Sequence, residues 1–105
     1  MMKKIPAHYA KLKERHGSLL EAVETLGKAA KAAGPIDAMT AELIQLAAAV
    51  AIRSEGSVHS HTRRALSHGA TPEQLRHAAI LLTSVVGFPA VAAALTWIDD
   101  VIEDA

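Results

Sequence analysis

The sequence predicts an all-α fold, a helical bundle of about six helices, and three observations carry that fold class. No stretch of the 105 residues sustains the apolar–polar alternation of a half-buried strand. Glycine and proline cut the chain at Gly34-Pro35, Gly69 and Gly87-Phe88-Pro89. Between the cuts, apolar residues recur at helical spacing, and the loops left over are short enough for bundle packing.

Each element has its own justification. Pro6 to Arg15 has helical composition, with Tyr9 and Leu12 three apart, and predicts a short leading helix ended by Gly17. Ser18-Leu19-Leu20-Glu21 has the form of a capping box, so a second helix is expected from Ser18 to about Ala33. Gly34-Pro35 stops it, because proline lacks an amide proton and disfavours helix in the residue before it. Asp37 is a good N-cap for a third helix carrying Glu42, Leu43, Ile44, Leu46, Val50 and Ile52. Apolar residues surround its axis, as expected of a helix buried on most sides, with Glu42 and Gln45 as polar exceptions. Ser54-Glu55-Gly56-Ser57 interrupts the pattern, and a fourth helix is expected from about Ser57, its N-cap, to His68, closed by Gly69 in a left-handed conformation. Thr71-Pro72-Glu73-Gln74 forms a second capping box with proline at the first helical position, opening a fifth helix through Leu75, Ala79, Leu82 and Val86. After Gly87-Phe88-Pro89, a final helix from Ala90 to Glu103 bears Val91, Leu95, Ile98 and Ile102.

Composition narrows the function classes. A chain of 105 residues fits one domain, residues 1–105. Half of it is hydrophobic, yet Tyr9, Phe88 and Trp97 are its only aromatic residues, and alanine-rich cores bury little area per residue. Eleven basic residues balance eleven acidic ones, so no net field favours nucleic acid or an anionic membrane. There is no cysteine, which excludes disulfides, zinc–thiolate sites and thiol catalysis. Met1-Met2-Lys3-Lys4 has the lysines of a secretory leader, but His8, Lys11, Lys13, Glu14 and Arg15 follow where an apolar stretch is required. The run from Leu46 to Ile52 is far short of the roughly 20 residues that cross a bilayer. A soluble, cytoplasmic protein is expected.

The residues that carry chemistry stand in one spacing. Glu42 is followed after eleven residues by Ser54, after two more by Ser57, and after three more by His61, which leads directly into Thr62-Arg63-Arg64-Ala65-Leu66-Ser67-His68-Gly69-Ala70. Ser57 and His61 are four apart, hence on one face of a helix, and Glu42 comes from the preceding helix. This resembles the signature of the carboxymuconolactone decarboxylase/alkylhydroperoxidase D (AhpD-like) family, Glu-x11-Cys-x2-Cys-x3-His running on into Ala-Leu-x-x-Gly. The resemblance covers Asp37 to Pro89, most strongly Glu42 to Ala70, and Gly87-Phe88-Pro89 fits the family's next helix junction.

The resemblance implies the family's helical fold and peroxiredoxin-type antioxidant activity, in which the second cysteine attacks a peroxide and the first resolves it into a disulfide. Glutamate and histidine form the proton relay that activates the thiol, since the thiolate is the reactive form and a neighbouring base raises its population. Carried over, Glu42 and His61 match the relay, Ser57 the peroxidatic position and Ser54 the resolving one. Gly56 stands where some members have a further histidine. A serine hydroxyl has no thiolate-like population near neutral pH and forms no disulfide, so the cysteine mechanism is closed to this chain. Decarboxylases of the superfamily lack the cysteine pair but carry an acid at the position of Ser57, so the chain departs from that pattern too. Two origins fit the serines: replacement in a cysteine-containing parent, or natural loss of thiol chemistry with the site kept for a small ligand. A peroxide-like substrate or small-molecule ligand and a homotrimer or homohexamer are the implied partners, with no cofactor and no metal.

Plainer roles fit the same residues. Glu42 would serve as a first-turn acid complementing the helix dipole, His61 as a donor to a carbonyl, and Ser54 and Ser57 as a loop residue and a cap. His59 and His61 point about 200° apart around a helix and do not chelate one ion. Ser57, His61 and Glu42 also list a nucleophile, a base and an orienting acid, but nothing supplies an oxyanion hole. His8, His16, His68 and His77 lie at polar positions, and Arg63 and Arg64 fit a solvated face. A helical oligomer with no working site is the competing class.

Overall fold

The computed structural model describes residues 7–104, which form seven helical segments and no strand. The chain divides between Ile36 and Asp37 into two compact units.

The N-terminal unit holds α1 (Ala7–Arg15) and α2 (Gly17–Ala32). Pro6, the expected first residue of the leading helix, lies outside the described residues. Gly17 does not end α1 but opens α2, and the capping box expected at Ser18 does not form: His16 is the N-cap, without a side-chain hydrogen bond. The reason lies in the backbone. The His16 amide donates to the Leu12 carbonyl at 2.7 Å and the Leu20 amide to the His16 carbonyl at 3.1 Å, so the junction itself satisfies groups that Ser18 was expected to serve. The Tyr9 hydroxyl donates to Glu24 Oε2 at 2.7 Å, fastening α1 to α2. Neither helix buries a residue, and Leu19, Val23 and Leu26 of α2 are exposed along one stripe.

The second unit contains α3 (Ala38–Ala51), α4 (Glu55–Ser67), α5 (Pro72–Ile80), α6 (Thr83–Val86) and α7 (Phe88–Asp104). Asp37 caps α3 as expected, accepting from the Thr40 amide at 3.1 Å and from the Thr40 hydroxyl at 2.7 Å. The α4 cap is Ser54 rather than Ser57: Ser54 is extended, and its hydroxyl accepts from the Ser57 amide at 3.4 Å. Arg53, at φ +58°, makes the reversal between the helices and releases Ser54 into that conformation. Gly69 closes the α4 region at φ +92°, and the Thr71 box is complete, with Gln74 amide to Thr71 Oγ1 at 3.1 Å and Thr71 amide to Gln74 Oε1 at 2.9 Å.

The expected fifth helix ends at Ile80 instead of continuing to Val86. There the Leu82 amide bonds the Ala79 carbonyl, three residues back, and the Thr83 hydroxyl takes the Ile80 carbonyl at 2.7 Å. A side chain thus competes for a backbone acceptor of the helix ladder. One further turn, α6, precedes Gly87 at φ +94°. Helix α7 starts at Phe88, two residues before the expected Ala90, because Pro89 falls in the first turn, where a missing amide leaves no bond unmade.

The core gathers Leu46, Ala49 and Val50 from α3, Val58 and Ala65 from α4, Leu75 and Ala79 from α5, and Ala94 and Ile98 from α7. Helix α4 therefore lies between α3 and α7, and α5 packs on both of these. Helix α3 is less enclosed than its composition suggests: Ile44 is 51% exposed, and Ile52, its C-cap, is 74% exposed.

Candidate functional site

Two helices of the second unit build the site. Asp37 fixes where α3 begins, which puts Glu42 in the second turn, on the side facing α4 with Leu46 and Ala49. Glu42 is 1% exposed. A carboxylate held that far from water requires a hydrogen-bonding partner, and His61 on α4 supplies one, with Nδ1 at 2.8 Å from Glu42 Oε1. When Glu42 is ionised it accepts, so a neutral imidazole here carries its proton on Nδ1 and leaves Nε2 as the acceptor. The pair is then a buried acid that fixes the tautomer of a partly accessible base.

This geometry removes two of the plainer roles. Glu42 is not a first-turn acid, because α3 has none, and His61 meets a carboxylate rather than a carbonyl. The capping role expected of Ser57 falls instead to Ser54, expected as a loop residue, whose hydroxyl caps α4. Ser57 is the third residue of α4, half-buried, one turn before His61 on the same face. The structure thus joins Glu42 to His61, links Ser54 to the Ser57 backbone, and sets Ser57 in the first turn of the helix that carries His61. Backbone amides at such a turn favour a negative charge.

Around the pair lie polar groups that spacing alone does not rank. Thr62, next to His61, is wholly buried, and neither its hydroxyl nor the buried Gln45 Oε1 has a hydrogen-bond partner among the described residues. Gln45 is three residues from Glu42 on α3, hence on a shared side of that helix. Gln45 was visible in sequence as a polar break in an apolar helix; Thr62 carried no such signal. Burial, with Arg64 beside it, lowers the Arg63 guanidinium below its ordinary pKa. His59 diverges from His61 as helix geometry requires, its Nε2 lying 3.2 Å from Asp100 Oδ2 on α7.

With this geometry in place, the comparison with protein families becomes informative: the model of the carboxymuconolactone decarboxylase family matches residues 17–100. The chain belongs to that family. No curated protein and no solved structure matches it. Among the described residues no helix is long and apolar enough to cross a membrane.

Proposed function

We propose that this is an AhpD-like protein related to thiol-dependent alkyl hydroperoxide reductases, in which the Glu42–His61 proton relay persists while Ser54 and Ser57 occupy the resolving and peroxidatic positions. The observation that carries the reading is the 2.8 Å contact between a buried carboxylate and an imidazole one turn beyond Ser57. In a relay of this kind, Glu42 holds the His61 tautomer and Nε2 takes a proton from whatever acid is bound near Ser57. With a thiol there, the product is a thiolate near a helix N-terminus, stabilised as an anion. With a hydroxyl of far higher pKa, proton removal yields too little nucleophile, and no partner sulfur exists to resolve an intermediate. As it stands, the chain is redox-inactive by this route. The family match begins at the first residue of α2 and runs to Asp100, which supports reading residues 17–100 as part of one domain of this type.

Restoring the sulfurs tests this directly. Ser54→Cys with Ser57→Cys is expected to confer peroxide consumption in the presence of a dithiol reductant, one peroxide being reduced to alcohol and water for each disulfide formed. The serine form is the blank. No gain over it, in a folded variant, would show that the surroundings no longer support peroxide reduction and would favour a cysteine-free ligand-binding or decarboxylase-like member. A non-enzymatic helical oligomer is the second reading, supported by the apolar side chains that α3, α5 and the segment after it leave uncovered.

A further inference from the structure

A second cluster of ligating groups lies on the side of α4 turned away from His61. Glu55 opens α4 and His59 follows one turn later, so the backbone of one helix holds both on one face. Asp100 of α7 reaches the same place from across the α4–α7 contact, and one ligand atom from each of the three residues lies within 4.8 Å of the others. His59 Nε2 and Asp100 Oδ2 are already 3.2 Å apart. Bonds of about 2.0–2.2 Å to a tetrahedral ion place two ligand atoms roughly 3.4 Å apart, so this pair stands at the separation that coordination needs. Glu55 is exposed and has the rotamers to close the remaining distance.

We propose that Glu55, His59 and Asp100 form a divalent transition-metal site of the zinc class, separate from the Glu42–His61 pair. An ion pair between His59 and Asp100 explains two of the three groups, and the helix dipole favours an acid in the first turn of α4, but neither requires both carboxylates to lie within 4.8 Å of the same imidazole. One imidazole nitrogen with two carboxylates matches borderline ions such as Zn²⁺, whereas Ca²⁺ and Mg²⁺ prefer oxygen-only sets. Two carboxylates and a neutral imidazole balance the charge of such an ion, and water completes its coordination at this open surface. The bound ion would tie α4 to α7 behind the helix that carries His61, and so raise the stability of that helix without touching the relay.

The test is calorimetric titration of chelator-treated protein with ZnCl₂ at neutral pH, with Co²⁺ absorption as a second readout. About one Zn²⁺ per chain is expected, together with a rise in thermal midpoint. His59→Ala and Asp100→Asn should each weaken binding by at least the roughly tenfold that loss of an outer-sphere partner causes. The double variant His68→Ala with His77→Ala, at two exposed histidines, should bind as the parent does. Asp100→Asn keeps shape and volume, so it decides the matter if His59→Ala fails to fold. Absence of saturable binding, undiminished affinity in Asp100→Asn, or loss of binding in the His68/His77 variant would each overturn the proposal.

Discussion

Glu42 and His61 depend on each other unequally. Glu42 is almost wholly enclosed, while His61 keeps a side-chain exposure of 19%, so the imidazole has an alternative in water that the carboxylate lacks. Removing the imidazole therefore does more harm than its own lost bond. His61→Ala is expected to destabilise the protein by about 1–3 kcal/mol, the penalty of depriving a buried polar group of a partner. Glu42→Gln should do less, because an amide oxygen still accepts from Nδ1 and no buried charge remains. Urea denaturation, comparing midpoints at constant slope, measures both; equal stability of His61→Ala and the parent would mean that Glu42 does not rely on the contact. Much of this pair was legible in sequence, since helical period and spacing put Ser57 and His61 on one face and Glu42 on the neighbouring helix. What spacing could not supply was the degree of burial, which is set by Leu46, Val58 and their neighbours closing over α3 and α4. Thr62 escaped notice for the same reason: a threonine in a helix full of polar residues reads as surface until packing encloses it.

Helix boundaries show where local signals suffice and where they compete. Asp37 and Thr71 were identifiable as caps because each follows a clear break, Gly34-Pro35 before Asp37 and Gly69 before Thr71, and stands directly before helical spacing. Ser54 and Ser57 are rivals, both good caps three residues apart, and the choice falls to Arg53, whose left-handed conformation completes the reversal early enough for Ser54 to take the position. The Ile80 break was hidden because Leu81 and Leu82 continue an apolar period; a threonine hydroxyl, not a proline or glycine, claims the carbonyl. At the Asp37 cap, hydrogen bonds from the Thr40 side chain and then its amide hold the carboxyl below its ordinary value of 3.8. The sign follows: a group whose folded pKa is depressed contributes stability that is fully present above the unfolded value and is lost as pH falls through the folded one. The stability advantage of the parent over Asp37→Ala should thus be constant well above 3.8 and shrink as pH is lowered past it. Urea midpoints of both proteins at mildly and strongly acidic pH provide the comparison, and an advantage that grows with acidity would contradict the assignment.

For the molecule as a whole, the unresolved physical problem is apolar surface. Ile44, Ile52, Leu81, Val85 and Phe88 are each more than half exposed, on α3 and on the segments that follow α5. Burying one such side chain fully contributes about 1.5–3 kcal/mol, so a face holding several is a strong drive to association once a complementary surface is met. A second copy of the chain offers the same surface, and closed symmetry covers it without leaving a free end. Balanced charge, eleven basic against eleven acidic residues, raises little net repulsion between copies. We therefore expect a homo-oligomer, and the resemblance to the family implies that it is a trimer or a hexamer built as a trimer of dimers. Light scattering at micromolar concentration should give a mass several times the chain mass of 11.1 kDa, and Ile44→Lys with Ile52→Glu, at two exposed positions of α3 and its C-cap, should lower it. A single monodisperse species at the chain mass would refute the assembly and return those side chains to the status of scattered surface residues.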